Sequence, residues 1–252
     1  MRKTKKMAAL ALTIAMAAGG MTSAYAAGAT GETSVEASKD VKSAGDTSML
    51  LTGTIKVTTL SVTIPTTVSF NVDMTQVPKS GAKDKTGETK VNVQVEQPED
   101  TIYKITNNSA SSVWVYVTGV TSEANGGSKL PVLTDTYADV KANDYNMLFA
   151  IKDSAEDAPE AGTYSDPATE PDEIGTAAYW MTKNGINSTD KKYYLNSTTN
   201  GELIAKDQAV KDGNTKNEMP LTIYAFTRKG WKAGDKFNVT PVFTVSVTDP
   251  TA

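Results

Sequence analysis

Phe237-Asn-Val-Thr-Pro-Val-Phe-Thr-Val-Ser-Val247 decides the fold class. Phe237, Val239, Phe243, Val245 and Val247 stand on odd positions with Pro241, while Asn238, Thr240, Thr244 and Ser246 stand between them. A two-residue period of this kind marks a strand with one face on a core. Pro241 cannot donate to a ladder, so an edge or a bulge is expected there.

The same signature recurs outward from this stretch. Leu221, Ile223 and Ala225 face one way and Tyr224 and Phe226 the other. Val113-Trp-Val-Tyr-Val-Thr-Gly-Val120 is apolar on both parities, which predicts a central strand. Val68, Phe70 and Val72 alternate with Ser69 and Asn71, and Val91, Val93 and Val95 alternate with Asn92 and Gln94. Turn chemistry separates these runs at Asn107-Asn-Ser109, Asn125-Gly126, Asn184-Gly185, Asn200-Gly201, Asp212-Gly213 and Gly234-Asp235. Only 173–182 and 202–211 suggest short helices. Short strands with frequent turns predict an all-β chain, an antiparallel β-sandwich of jelly-roll or Ig-like type. The middle, about 121–220, is less regular and reads as a loop-rich insertion within a single domain spanning 49–252. Its acidic, proline-containing part, 153–173, reads as a surface loop.

The N-terminus carries an address. Arg2, Lys3, Lys5 and Lys6 precede the apolar run Met7–Ala18, and Ala24 and Ala26 have the spacing of a signal-peptidase site. Residues 1–26 are expected to be a signal peptide, too short in its apolar part to span a bilayer, followed by a polar leader over 27–48. The expectation is a secreted or cell-surface protein without stable membrane insertion. The 252 residues hold 25 Lys+Arg and 29 Asp+Glu; removing four basic residues and no acid with the signal leaves 21 against 29, a net charge of −8. An acidic surface argues against nucleic acid as a partner. The chain has no Cys and no His, which excludes disulfides, zinc sites built on those ligands, and Ser–His–Asp or Cys–His catalysis. An exported chain without cysteine, with a Lys-rich start, points to a Gram-positive bacterium. No cofactor is expected, and no motif announces an enzyme.

Three candidate sites emerge. Asp153, Glu156, Asp157 and Glu160 could hold a hard cation such as Ca²⁺, although their spacing matches no EF-hand loop and a solvated loop accounts for them as well. Trp180 and Trp231 could stack on sugar rings; the tight corner Gly230–Asp235 equally suits Trp231 plugging the end of a sandwich. Ile55 and Val57 on one parity, with Leu60, Val62 and Ile64 on the other, form a β-rich stretch that could add to an open sheet edge. The same stretch could instead be the first strand of its own domain, with the parity change marking a bulge or a crossing between sheets.

Ile105-Thr-Asn-Asn-Ser109 before Val113-Trp-Val-Tyr-Val117, and Gly234-Asp-Lys-Phe237 before Phe243-Thr-Val-Ser-Val247, together with the order of parts, resemble exported β-sandwich proteins of Firmicutes. They are similar to the TasA/camelysin group of biofilm-fibre subunits. The likeness covers about 105–120 and 221–247; the mature terminus lacks that group's usual start, and the acidic middle has no counterpart. The resemblance implies a jelly-roll subunit that polymerises when an N-terminal strand fills a groove in its neighbour. The expected function is therefore a non-enzymatic surface or matrix protein that self-associates or adheres to cell-wall or matrix polymer. The alternative is an extracellular carbohydrate-binding module.

Overall fold

The computed structural model describes residues 12–13, 60–76, 94–99, 102–126, 129–160, 170–182, 185–186, 190–213 and 216–251, with the backbone alone at 12–13, 185–186 and 212. The rest of the expected signal peptide, the leader 27–48, and Ile55 and Val57 lie outside the described residues.

The strands run in chain order β1 (Leu12–Thr13), β2 (Val62–Thr63), β3 (Asn71–Val72), β4 (Val95–Glu96), β5 (Lys104–Asn107), β6 (Val113–Ala124) and β7 (Val132–Leu133). They continue as β8 (Asn146–Asp153), β9 (Met181–Thr182), β10 (Gly185–Ile186), β11 (Tyr193–Tyr194), β12 (Glu202–Leu203), β13 (Glu218–Thr227) and β14 (Phe237–Ser246). Among the described residues two short helices, α1 (Tyr137–Ala142) and α2 (Lys206–Asp212), and one 3-10 turn at Ala177–Tyr179 interrupt them. The chain is a β-sandwich. One sheet has the order β1-β14-β6-β11, with β12 also on β6; the other has the order β2-β5-β13-β8-β7. Among the described residues all pairs are antiparallel except β7 with β8.

β6 is central, as its apolar character on both parities predicts. Its register with β14 shifts between Val242 and Phe243, which leaves Thr118 as the extra residue of a bulge. Val113, Val115 and Val117 therefore point inward before the bulge and Val120 after it, and all four are buried. On β14 the odd residues keep one face throughout, so Val239, Phe243 and Val245 reach the core side without interruption. Pro241 stands one residue from the irregularity, on a strand that is an edge for most of its length.

The second sheet has a centre that alternation alone does not reveal. Met147-Leu-Phe-Ala-Ile151 is buried at every position, because β8 is covered on both faces, and such a strand reads as a continuous apolar run. It lies within the stretch read from sequence as loop-rich. Phe149 and Ile151 pair with Ala225 and Ile223 of β13 and face the first sheet. Leu148, Ala150 and Lys152 face outward with Phe226, Tyr224 and Thr222, where Tyr179, Trp180 and Tyr193 cover them. There Trp180 meets Phe226 at 6.1 Å and Tyr179 meets Tyr224 at 5.8 Å, both edge to face. The middle of the chain thus supplies one central strand and a second apolar layer, together with short strands and both α-helices.

The Asn107-Asn-Ser109 turn ties distant elements together. The Asn107 side chain is fully buried. Its two amide hydrogens are shared among the carbonyls of Ser111, Leu203 and Ile204 at 2.8–3.0 Å, and its Oδ1 accepts from the Ser109 N–H. Ser109 Oγ accepts from Ser61 N–H, and Asn108 N–H donates to Ser61 O. Leu60, Val62 and Ile64 are thereby drawn into the core of their own chain, at 3%, 7% and 6% exposure.

Candidate functional site

The site grows from a place where, among the described residues, each sheet has an edge that is only partly paired. On the second sheet β5 ends early: Tyr103 O accepts from Leu221 N–H, while Tyr103 N–H donates to Glu99 O and leaves the ladder. Beyond that point β13 has no ladder partner on this side among the described residues. Segment 94–97 runs there instead, one side-chain length away. Gln97 Nε2 donates to Leu221 O at 3.3 Å and its Oε1 accepts from Ile223 N–H at 2.5 Å. Gln94 Nε2 donates to Thr227 O at 3.1 Å and its Oε1 accepts from Thr227 N–H at 2.9 Å. A primary amide carries one acceptor and two donors, so each glutamine meets one N–H and one C=O of β13 as a main-chain neighbour would.

On the first sheet the edge of β14 opposite β6 meets, among the described residues, only β1, at Thr244 and Val245. The two incomplete edges flank a partly open cavity of about 120 Å³. Phe149, Ile151 and Ile223 form one wall; Val239, Pro241 and Phe243 form the other. Segment 65–70 roofs it without joining a ladder, held by Phe70 against Phe149 at 6.0 Å and Phe237 at 5.8 Å. Val68 and Phe70 keep the parity expected of a strand, yet only Asn71 and Val72 pair, with β4. No lining residue is charged. Tyr103 closes one end, and burial raises its phenol above the ordinary tyrosine range.

The residues singled out from sequence fall elsewhere. Trp180 is fully buried, its Nε1 donating to Ile174 O at 2.9 Å. A sugar cannot stack on it, because the indole completes the layer over β8 and β13. Trp231 is half-buried against the core; its Nε1 donates to Thr227 Oγ1 at 2.6 Å, with the Tyr145 ring perpendicular at 5.5 Å. It plugs the end of the sandwich beside Gln94's partner.

The acidic residues serve local pairing rather than one focus. Asp153 is buried, and its carboxylate accepts from Asn196 Nδ2 and from Ala155 N–H. Glu156 accepts from both the N–H and the hydroxyl of Ser197. Tyr179 donates to the carbonyl of Asp157, and Gly175 N–H to that of Glu160. Among the described residues no three acidic side chains converge as a metal would require. Asp153 therefore does not belong to a solvated loop: it ends a central strand and anchors 195–197.

Beside it sits Lys152, buried under the rings of Tyr193 at 4.5 Å and Tyr179 at 5.1 Å, with Nζ donating to Tyr194 O. Burial holds its pKa below the usual lysine value, against the opposing pull of Glu156. Burial likewise drives the Tyr179 and Tyr193 phenols upward. Of the expected assembly strand, Leu60, Val62 and Ile64 occupy their own core.

Gln94, Gln97 and the cavity walls were not found by sequence reasoning. Gln94 offers a faint signal as a polar residue in the alternating Val91–Val95 run, but a glutamine there reads as solvent-facing.

Fold and site together define a β-sandwich with an open, uncharged seam. Compared with protein-family models, curated proteins and solved structures, the chain gives no significant match.

Proposed function

We propose that this chain is a secreted, non-enzymatic surface or extracellular-matrix subunit of a Gram-positive bacterium that self-associates by adding a strand from one copy to the sandwich of another. The observation that carries the reading is the seam: two sheet edges, each only partly paired among the described residues, flank an uncharged cavity lined by both apolar and polar groups. Unpaired main-chain groups beside an apolar groove are what strand addition uses, the backbone supplying affinity and alternate side chains filling the groove. The sequence supports it with a β-rich stretch ahead of Leu60 and an expected export signal.

The test is direct. Residues 27–252 are purified, concentrated and viewed by negative-stain electron microscopy, beside residues 60–252. Ordered fibres from the longer chain and dispersed particles from the shorter are expected. Fibres from neither, with both folded, would turn the reading toward adhesion to wall or matrix polymer.

A further inference from the structure

We propose that the cavity between the two sheets is a binding site for a neutral, ring-sized molecule carrying one hydrogen-bonding oxygen, with the Tyr103 hydroxyl as its polar contact. The site lies within one copy of the chain, and the inference does not rest on self-association.

The first observation is a buried hydroxyl that nothing engages. Tyr103 continues the inward parity of Ile105, level with Leu221 of β13, and lines the cavity at 6% exposure. Its main chain is satisfied by Glu99 O and Leu221 N–H, but its phenol meets no hydrogen-bond partner among the described residues. Equally buried phenols elsewhere end on one: Tyr137 donates to the Glu170 carboxylate and Tyr193 to Tyr179 O. Burial alone raises the Tyr103 phenol, with no hydrogen bond contributing. A phenylalanine would fill the same place without leaving a polar group unpaired, so the hydroxyl is a cost to the fold and calls for a reason. An oxygen on a ligand in the cavity supplies the missing partner.

The second observation is the size and chemistry of the space. Phe149, Ile151, Ile223 and Phe243 make its floor, each at least nine-tenths buried, and the exposed Thr67 and Thr240 mark its mouth. The volume of about 120 Å³ is close to the roughly 150 Å³ in which an apolar protein cavity takes up benzene. A single six-membered ring therefore fits, and a long acyl chain does not. No lining residue is charged, so an ion would enter without a countercharge. A sugar would strand most of its hydroxyls against the phenyl and aliphatic floor, and a wholly apolar ring would leave Tyr103 as unsatisfied as before. Phenols, cyclic alcohols and cyclic ketones are the class that matches: an apolar body with one placed polar group.

The experiment titrates residues 27–252, methyl-labelled at Ile and Val, with phenol and with benzene by NMR, beside the Tyr103→Phe variant. That substitution removes only the unpaired hydroxyl and is expected to leave the fold at least as stable. In the unaltered chain phenol is expected to shift the methyl signals of Ile151, Ile223 and Val239 with a dissociation constant of about 1 mM, modest for a ligand of this size. Phenol gives up a hydrogen bond to water on entering, so the reading is the ratio of phenol to benzene affinity. Tyr103→Phe is expected to lower that ratio about fivefold, the scale of one net hydrogen bond. A ratio that Tyr103→Phe leaves unchanged overturns the proposal. So does the absence of saturable shifts at these three residues with either compound up to about 10 mM, or saturable shifts confined to other methyls.

Discussion

Where the N-terminal boundary of the folded unit falls has a sharp consequence. A chain of residues 65–252 loses Leu60, Val62 and Ile64, each at least nine-tenths buried. Burial of an aliphatic side chain is worth about 2 kcal/mol, so the three contribute about 6 kcal/mol. Two main-chain ties go with them, from Ser61 N–H to Ser109 Oγ and from Asn108 N–H to Ser61 O, both 2.8 Å. Domains of this size are stable by only about 5–15 kcal/mol, so residues 65–252 should be largely unfolded. Residues 60–252 keep every one of these contacts and should match 27–252. The assay is urea unfolding followed by tryptophan fluorescence and circular dichroism. With a slope of about 2 kcal/mol per molar urea, removal of 60–64 should shift the midpoint by about 3 M, whereas ending at 60 should shift it by less than about 0.5 M. A chain of 65–252 as stable as 27–252 would refute the placement of these residues in their own core. Deletion through Ile64 is for the same reason no test of the proposed assembly, since it would unfold the domain as well as remove the stretch ahead of Leu60.

Further outcomes follow from the same geometry. Asn107→Ala leaves three carbonyls and one N–H without their interior partner and should cost about 3–4 kcal/mol by urea titration; a loss under about 1 kcal/mol would mean that water replaces the amide. Trp180→Ala should cost about 3–5 kcal/mol, since the ring is fully buried, and a calorimetric scan reads it. Ala at Gly201 would place a Cβ on Val115 O at a backbone φ of +78°, between Asn200 and the start of β12, and should lower the melting temperature by more than about 5 °C. In alkali the phenols of Tyr103, Tyr179 and Tyr193, raised by burial, stay protonated in the fold while the unfolded chain ionises near pH 10. Their contribution is complete below that value and is lost as pH rises above it, by about 1.4 kcal/mol per pH unit for each. Lys152, shifted downward, acts oppositely and only below its unfolded value, so unfolding above pH 10 belongs to the tyrosines. Absorbance at 295 nm rising together with unfolding checks this, and early ionisation without unfolding would contradict it.

Much of the fold was legible because strands half-covered by a core alternate. The parity of β14 and β13 and the central place of β6 follow from local pattern. So does the Asn200-Gly201 turn, where both residues take positive φ and Glu202 N–H donates to Thr199 O, a primed turn, although it joins two strands that both lie on β6 and not the arms of a hairpin. Helix α1 escaped notice although Thr136 and Asp139 cap each other at its start, because six residues carry too short a period to register. β8 escaped because burial on both faces erases alternation. The acidic run from Asp153 looked solvated because composition cannot show that Asn196 and Ser197, some forty residues on, return to meet it.

By itself, then, the sequence determined the class: an all-β sandwich without thiol or imidazole chemistry, whose ends alternate and whose middle does not. Local period and residue chemistry suffice for that, since each depends on neighbours within a few positions. Only the tertiary structure decided where the sandwich is incomplete. Whether an edge is paired depends on what stands about 5 Å away across the sheet, and at β13 that is the side chains of Gln94 and Gln97, more than a hundred residues earlier in the chain. A still longer stretch of sequence separates the roof at Phe70 from the wall at Phe243, and so hides the cavity between them.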